Sequence, residues 1–146
     1  MRVYSKTLFI LLLIIATLSF SQCASTYKLD KVAPTKFKDV YFQKWNAGIQ
    51  EGGSGINVFI KTEDKSVTPD SVYFRGKGTR LIVYPNNLVL HIGRFTALNT
   101  SSIPFNLKED ECIVSYLKNK KVHYYKISNI REHTIVNYPS TPSKDN

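Results

Sequence analysis

The chain has 146 residues, a formal net charge of +9 and 12% aromatic residues. This length points to one domain rather than several, and it is large enough to fold without a cofactor. Tyr and Phe supply most of the aromatic residues, and both favour half-buried pleated surfaces. No sustained helical periodicity follows the N-terminal segment, which argues against a helical protein. Together with the aromatic content, this indicates β-structure.

The first 22 residues have the features of a secretion signal. Arg2 and Lys6 make the start basic, and residues 8–18 form an apolar run of 11 residues. A transmembrane helix needs about 20 such residues, whereas a signal needs about 7–15. Residues 19–22 then supply a polar cleavage region. We therefore expect a signal-peptide helix over 1–22 and export of the remaining chain, because a buried core helix would not explain the basic start.

Cys23 directly follows the signal, at the place where bacterial lipoproteins carry the cysteine that receives diacylglycerol. The usual motif has an aliphatic residue three positions earlier and a small residue just before the cysteine. Here these positions hold Phe20 and Gln22, which match poorly. Ordinary cleavage at a small-x-small site formed by Ser19 and Ser21 stays open. We interpret Cys23 as the lipid-attachment residue of an outer-membrane lipoprotein facing the periplasm, with free secretion as the alternative.

The second cysteine bears on the same choice. If Cys23 is lipidated, Cys112 is left alone, and its place in an apolar alternation over 112–117 predicts a buried, inert thiol. If Cys23 is not lipidated, an oxidising compartment can pair it with Cys112. Such a disulfide would close a long loop and stabilise the fold by several kcal/mol in the chain-entropy model. Both alternatives remain open.

Residues 23–39 are predicted to be a polar, basic tether, in which four lysines follow the cysteine closely. Near an anionic leaflet each of these charges contributes roughly 1 kcal/mol. Without Arg2 and Lys6 the chain has 18 basic and 11 acidic residues, a net charge of +7. This excess suits an anionic lipid or glycan as partner, although scattered lysines also serve solubility alone. We expect a membrane partner through Cys23 and no nucleic acid.

Residues 40–136 are predicted to form an all-β domain of about seven short strands. Alternating or β-branched segments lie at 40–45, 56–61, 71–75, 80–84, 88–94, 111–118, 121–128 and 130–136. Turn residues separate them, with hairpins expected around Gly76–Thr79 and Asn119-Lys120, and a longer loop covers 95–110. This pattern indicates an antiparallel sandwich or a partly closed barrel. Residues 137–146 have the composition of a disordered tail.

No motif in the chain specifies catalysis. Residues 52–55 (GGSG) fail the G-x-S-x-G pattern because Ile56 stands at its closing position. Residues 76–79 (GKGT) lack the Ser or Thr that follows the lysine of a phosphate-binding loop. The three histidines lie on different segments without the spacing of metal ligands: His91, His123 and His133. We therefore expect no catalytic residue, no metal and no cofactor.

Two features are candidates for ligand binding. Trp45 precedes a glycine-rich loop, and an aromatic face can stack on sugar rings or bases, although a single Trp in a strand is more commonly a core residue. Arg75, Lys77 and Arg80 are predicted to cluster at one hairpin tip, where they would bind an anion such as a phosphate or an acidic glycan.

Three stretches resemble small uncharacterised envelope proteins of Bacteroidota: Tyr41–Ile60, Ser71–Lys77 and Glu111–Asn119. The signal ending in SFSQ also resembles flavobacterial export signals. This resemblance implies a double-membrane bacterial setting and carries no activity. The favoured function is a lipid-anchored, non-enzymatic binding or scaffolding module for an anionic envelope component. The alternatives are a freely secreted domain with a Cys23–Cys112 disulfide and a small secreted hydrolase, which would need a histidine beside Cys112 or an acidic residue in a cleft.

Overall fold

The computed structural model describes residues 27–48, 52–63, 65–97 and 101–138, with only the backbone at 101 and 102. The predicted signal peptide, Cys23 and nearly all of the predicted tail lie outside these residues. The described residues contain nine β-strands and no helix, which confirms the all-β prediction. Among them, no helix therefore reaches the length and hydropathy needed to cross a bilayer.

The nine strands agree closely with the predicted ones. They are β1 Phe37–Asn46, β2 Ser54–Thr62, β3 Pro69–Phe74, β4 Lys77–Tyr84, β5 Asn87–Phe95, β6 Ser101–Ser102, β7 Cys112–Lys118, β8 Lys121–Ile127 and β9 Arg131–Asn137. Eight of them match predicted segments, with ends shifted by three residues at most. The two-residue β6 lies within the predicted long loop, where no hydrophobic alternation indicates a strand.

The strands form one hydrogen-bonded sheet in the order β8-β7-β3-β4-β5-β2-β1-β9, and β6 pairs with β4. All neighbours are antiparallel except β1 and β9, which run parallel. The predicted all-antiparallel pairing is therefore corrected at this edge, because the chain leaves β8 and crosses to the far side of the sheet. Among the described residues β8 and β9 are the two ends of this order, so the sheet stays open.

The sheet folds over itself at β4. Residues 77–80 of β4 pair with β3, whereas residues 81–84 pair with β5. The two halves then face each other, and Phe42 of β1 packs against Phe74 of β3 with ring centroids 5.1 Å apart. The core between them consists of these two residues and Val58, Ile60, Val72, Phe95, Cys112, Val114 and Ile130. This arrangement resembles a sandwich built from one bent sheet.

Two tight hairpin turns have positive φ at both central residues, as the right-handed twist of the strands requires. The Asn119-Lys120 turn, with φ of 51° and 61°, lies where the sequence predicts it. The other turn is at Arg75-Gly76, with φ of 48° and 76°. It precedes the predicted position because Lys77 and Gly78 already pair with Phe74 and Tyr73. An arginine is thereby placed at a strained turn position.

The segment that precedes β1 packs along β8. Leu29 forms a parallel bridge with Tyr124, and the Asp30 amide donates to the Tyr124 carbonyl over 2.8 Å. The Tyr27 ring contacts the rings of Phe105 and Tyr124 edge-on. Residues 27–36, which belong to the predicted tether, therefore cover part of the β8 edge, and β1 begins three residues before the predicted domain boundary.

Candidate anion-binding cavity

An open cavity of about 310 Å³ lies beside the β3–β4 turn. Its walls are largely apolar, and two cationic residues join them. The apolar lining includes Ile56, Phe74, Phe95 and Ala97, and the cations are Arg75 and Lys77. Pockets that bind small molecules have volumes of about 300–1,000 Å³, so this cavity suits a small ligand. Apolar walls with a few convergent polar groups are the usual composition of such sites.

Arg75 is fixed in place by three neighbours. Its guanidinium carbon lies 4.7 Å from the ring centroid of Phe42 and 4.9 Å from that of Phe74. Its Nε donates to the Glu109 carboxylate over 2.8 Å and to the Glu109 carbonyl over 3.3 Å. Both contacts to Glu109 use Nε, so this pairing does not occupy the donors of the two terminal Nη groups. The side chain is 26% exposed, so a ligand can reach it.

The structure brings Lys77 to Arg75 but separates Arg80 from both. Lys77 pairs with Phe74 across the hairpin and lines the cavity. Arg80 is three residues further along β4, so its side chain points to the opposite face of the sheet. No ion pair of Lys77 is present in the described part of the chain. The predicted cluster of three cations therefore reduces to a pair.

Trp45 lies next to the cavity without lining it. It pairs with Gly55 of β2, and a Cβ added to Gly55 would come 2.7 Å from Cζ2 of the indole. The ring therefore covers the backbone of Gly55, which is itself a lining residue. The indole is half-buried and contacts Tyr138 edge-on. Trp45 thus supports the wall of the cavity, and the structure does not combine it with the cations.

The two cations of the cavity lie in a long stretch of sequence that contains no acidic residue. Residues 71–108 contain five Arg or Lys residues and no Asp or Glu. Glu109 is the first acid after this stretch, and it pairs with Arg75.

Comparisons of the chain with protein-family models, curated proteins and solved structures found no match. The chemistry of the site is therefore inferred from its geometry and from the absence of acidic residues in 71–108. A search of the sequence for basic runs does not detect this absence.

A second cluster joins the N-terminal segment to the β7–β8 hairpin. The Tyr116 hydroxyl donates to Oδ2 of Asp30, and Nδ1 of His123 lies 3.0 Å from the same oxygen. The Tyr116 hydrogen bond holds the pKa of Asp30 below its ordinary value of 3.8. Burial, assisted by Asp30, raises the pKa of Tyr116 to about 12. Two open depressions of about 450 and 290 Å³ flank this cluster.

This cluster was not predicted, because Asp30 lies in the polar segment that was interpreted as a tether. One pair of the cluster, Tyr116 and His123, could be predicted from the sequence. The turn at Asn119-Lys120 places Tyr116 opposite His123 in the hairpin, and the structure has this pairing. The other two histidines are elsewhere, with His91 buried in β5 and His133 stacked on Tyr41. In the described ranges no three residues of the types that bind metals come together.

Replacing Asp30 with asparagine is expected to loosen the N-terminal segment at neutral pH. The protection of the Asp30 amide against hydrogen exchange should fall by about tenfold or more, because a charge-assisted hydrogen bond is lost. Since the pKa of Asp30 is lowered in the folded state, its contribution is present above pH 3.8 and disappears as pH falls through the folded pKa. Wild-type protection should therefore decrease only in strong acid.

The control for this measurement is Asp39→Asn, which removes an acid outside the cluster and should leave the protection of that amide unchanged. If Asp30→Asn also left it unchanged at neutral pH, the cluster would have no role in docking the segment.

Proposed function

We propose that the protein is an exported, lipid-anchored, non-enzymatic module that binds an anionic envelope component in the cavity beside the β3–β4 turn. One observation carries the binding part of this proposal: Arg75 and Lys77 meet at a cavity whose other lining residues are mainly apolar. A ligand with an anionic group and a short apolar portion satisfies both halves of this lining. The cavity volume corresponds to roughly ten groups of the size of a water molecule.

The contacts of Arg75 support its role as the main anion-binding group. The rings of Phe42 and Phe74 hold the guanidinium in position before a ligand arrives, so little conformational entropy is lost on binding. A charge-assisted hydrogen bond to an anion contributes about 1.5–3 kcal/mol. Lys77 adds a more flexible and better solvated charge, whose contribution is smaller.

The membrane part of the proposal rests on the sequence and is supported by Cys112. The side chain of Cys112 is fully buried, and it forms no disulfide within the residues that the structure describes. A disulfide requires sulfur atoms about 2.05 Å apart, so pairing would bring Cys23 into the core. The buried thiol therefore favours the lipoprotein over the disulfide-bonded alternative. The export signal and the resemblance to Bacteroidota proteins favour an outer-membrane position on the periplasmic side.

The binding proposal is tested by calorimetric titration with hexyl phosphate, which has an anionic group and a short apolar tail. Arg75→Gln should weaken binding by about 10- to 100-fold, because it removes a charge-assisted contact. Lys77→Gln should weaken it by several-fold. Arg80→Gln is the matched control on the same hairpin and should bind as the wild type does. Hexanol and inorganic phosphate, which each supply half of the ligand, should bind much more weakly.

Two results would contradict this assignment. One is equal affinity in Arg75→Gln and Arg80→Gln. The other is a wild-type protein that does not bind hexyl phosphate at all.

The cluster of Asp30, Tyr116 and His123 favours a second candidate, a small hydrolase. An acid that faces Nδ1 of a histidine orients the ring and leaves Nε2 to take a proton. However, the described residues that line the two flanking depressions include no Ser, Thr or Cys. The attacking group would therefore be water. Hydrolysis of p-nitrophenyl acetate that is abolished by His123→Gln would support this candidate, and equal rates in both proteins would exclude it.

A further inference from the structure

The β4–β5 hairpin ends in an exposed apolar tip at the turn formed by Pro85 and Asn86. Ile82 is 59% exposed, Tyr84 44% and Leu88 55%, and Val83 is 36% exposed. Four large apolar or aromatic side chains are thus in contact with solvent within seven consecutive positions. Contiguous exposed apolar surface of this kind commonly marks a site of interaction with a protein, a ligand or a membrane.

The tip is apolar on both of its faces. Ile82 and Val83 are consecutive in β4, so their side chains point to opposite sides of the sheet. A protein that docked on one face would cover Ile82 and leave Val83 in water. A bilayer interface surrounds a projecting hairpin and covers both residues at once. The geometry therefore favours a lipid surface over a flat protein surface.

Two cations, Arg80 in β4 and Arg94 in β5, lie behind the tip on the strands that lead to it. Arg94 lines a depression of about 240 Å³ together with Ile82 and Tyr84. Arg80 lies on the same face of β4 as these two residues. Because residues 71–108 include no Asp or Glu, no acid of the hairpin opposes an anionic surface. Tyr84, with an apolar ring and a polar hydroxyl, is a residue type enriched at bilayer interfaces.

We propose that this tip inserts into the surface of an anionic phospholipid bilayer, with Arg80 and Arg94 at the headgroups. This contact is independent of a lipid on Cys23 and of the ligand in the cavity. Lys77 precedes Tyr84 by seven positions along β4, a contour length of about 23 Å. The insertion would therefore leave the cavity at the other end of β4, where it can bind a ligand from the aqueous side.

Vesicle flotation tests the proposal, with the exported full chain carrying Cys23→Ala so that no lipid is attached at that position. The probes are vesicles of phosphatidylcholine alone and vesicles with equal parts of phosphatidylcholine and phosphatidylglycerol. The protein should float with the second kind, and Ile82→Asp with Leu88→Asp should reduce its partitioning by at least about tenfold. Arg94→Gln should reduce it by about fivefold on the anionic vesicles.

The matched control is Leu117→Asp with Val122→Asp, two exposed apolar residues that face each other on the β7–β8 hairpin. It adds the same charge and should float as the parent protein does. The proposal would be overturned if the parent protein floated with neither kind of vesicle. It would also be overturned if the partitioning of the control onto the anionic vesicles fell as much as that of the tip variant. A dimer in light scattering that only the tip substitutions dissociate would overturn it as well, because a second copy of the chain would then cover the tip.

Tyr84→Trp provides a readout that does not depend on the stability of the aspartate variants. Its fluorescence should be quenched by vesicles of brominated phosphatidylglycerol more strongly than that of the parent, whose one tryptophan is Trp45. Equal quenching of the two proteins would show that the tip stays in water, and it would also overturn the proposal.

Discussion

Gly93→Ala is expected to destabilise the protein by more than about 3 kcal/mol, or to prevent folding, because overpacking a close-packed core is costly. Gly93 is buried in β5, where a Cβ would come 2.2 Å from Cγ1 of Val72. Val72 is itself fully buried in β3, so neither residue has space to move. This contact joins the two halves of the bent sheet. The melting temperature should fall by about 10 °C or more for a domain of this size.

A double-mutant cycle separates this steric effect from other consequences of the substitution. Val72→Ala removes Cγ1 and creates the space that the Cβ at Gly93 needs. In that background Gly93→Ala should be much less destabilising, with a coupling energy of about 1–3 kcal/mol. Urea denaturation of the four proteins measures this energy. Additive effects would show that the close approach of β3 and β5 does not limit residue 93.

The Cys112 thiol is expected to react at least about a thousandfold more slowly in the native protein than in the denatured protein, because a core residue is exposed only by large unfolding events. Its side chain is fully buried, and this burial raises the pKa of the thiol to about 12. The reactive thiolate is therefore a negligible fraction at neutral pH.

The labelling experiment uses Cys23→Ala, so that Cys112 is the one thiol in the chain. Reaction with Ellman's reagent is followed with and without guanidinium chloride. Native labelling at the denatured rate would place Cys112 at the surface and remove an argument for the lipoprotein over the disulfide. The stoichiometry in denaturant should be one thiol per chain.

The strand positions could be predicted from sequence because hydrophobic alternation is a local property. The β7–β8 hairpin is the clearest example, since Asn119 tolerates the left-handed conformation that the turn requires. The buried run in β7 was harder to interpret. Residues 112–116 are all buried, so this strand is covered on both faces, and alternation alone does not show that.

The pairing of β9 with β1 could not be predicted, because it depends on where the chain crosses after β8. Residues 131–137 are mostly exposed, and nothing in their pattern selects a partner or a direction. The docking of Asp30 on the hairpin is likewise a long-range contact. Both features join parts of the chain about ninety residues apart, as the hydrogen bonds of Gln43 to Thr134 and of Tyr116 to Asp30 show.

The candidate site brings together only part of the predicted cluster. Arg75 and Lys77 both line the cavity, because both are near the tip of a hairpin. Arg80 does not line it, although a turn over residues 76–79 predicted that it would lie beside them. With the turn at Arg75-Gly76, strand alternation places Lys77 and Arg80 on opposite faces. A shift of a few residues in one turn thus changed the predicted composition of the site.

The position of the protein in the cell is the claim on which the proposed function depends, and the intact mass of the protein isolated from cells tests it most directly. We expect a mature chain that begins at Cys23 and carries a diacylglyceryl adduct, with the thiol of Cys112 unmodified. The adduct should be absent from Cys23→Ala, which should also leave the membrane fraction on extraction with high salt, since the hairpin tip alone binds reversibly. An unmodified chain that has lost two hydrogens through a Cys23–Cys112 disulfide would contradict the lipid anchor.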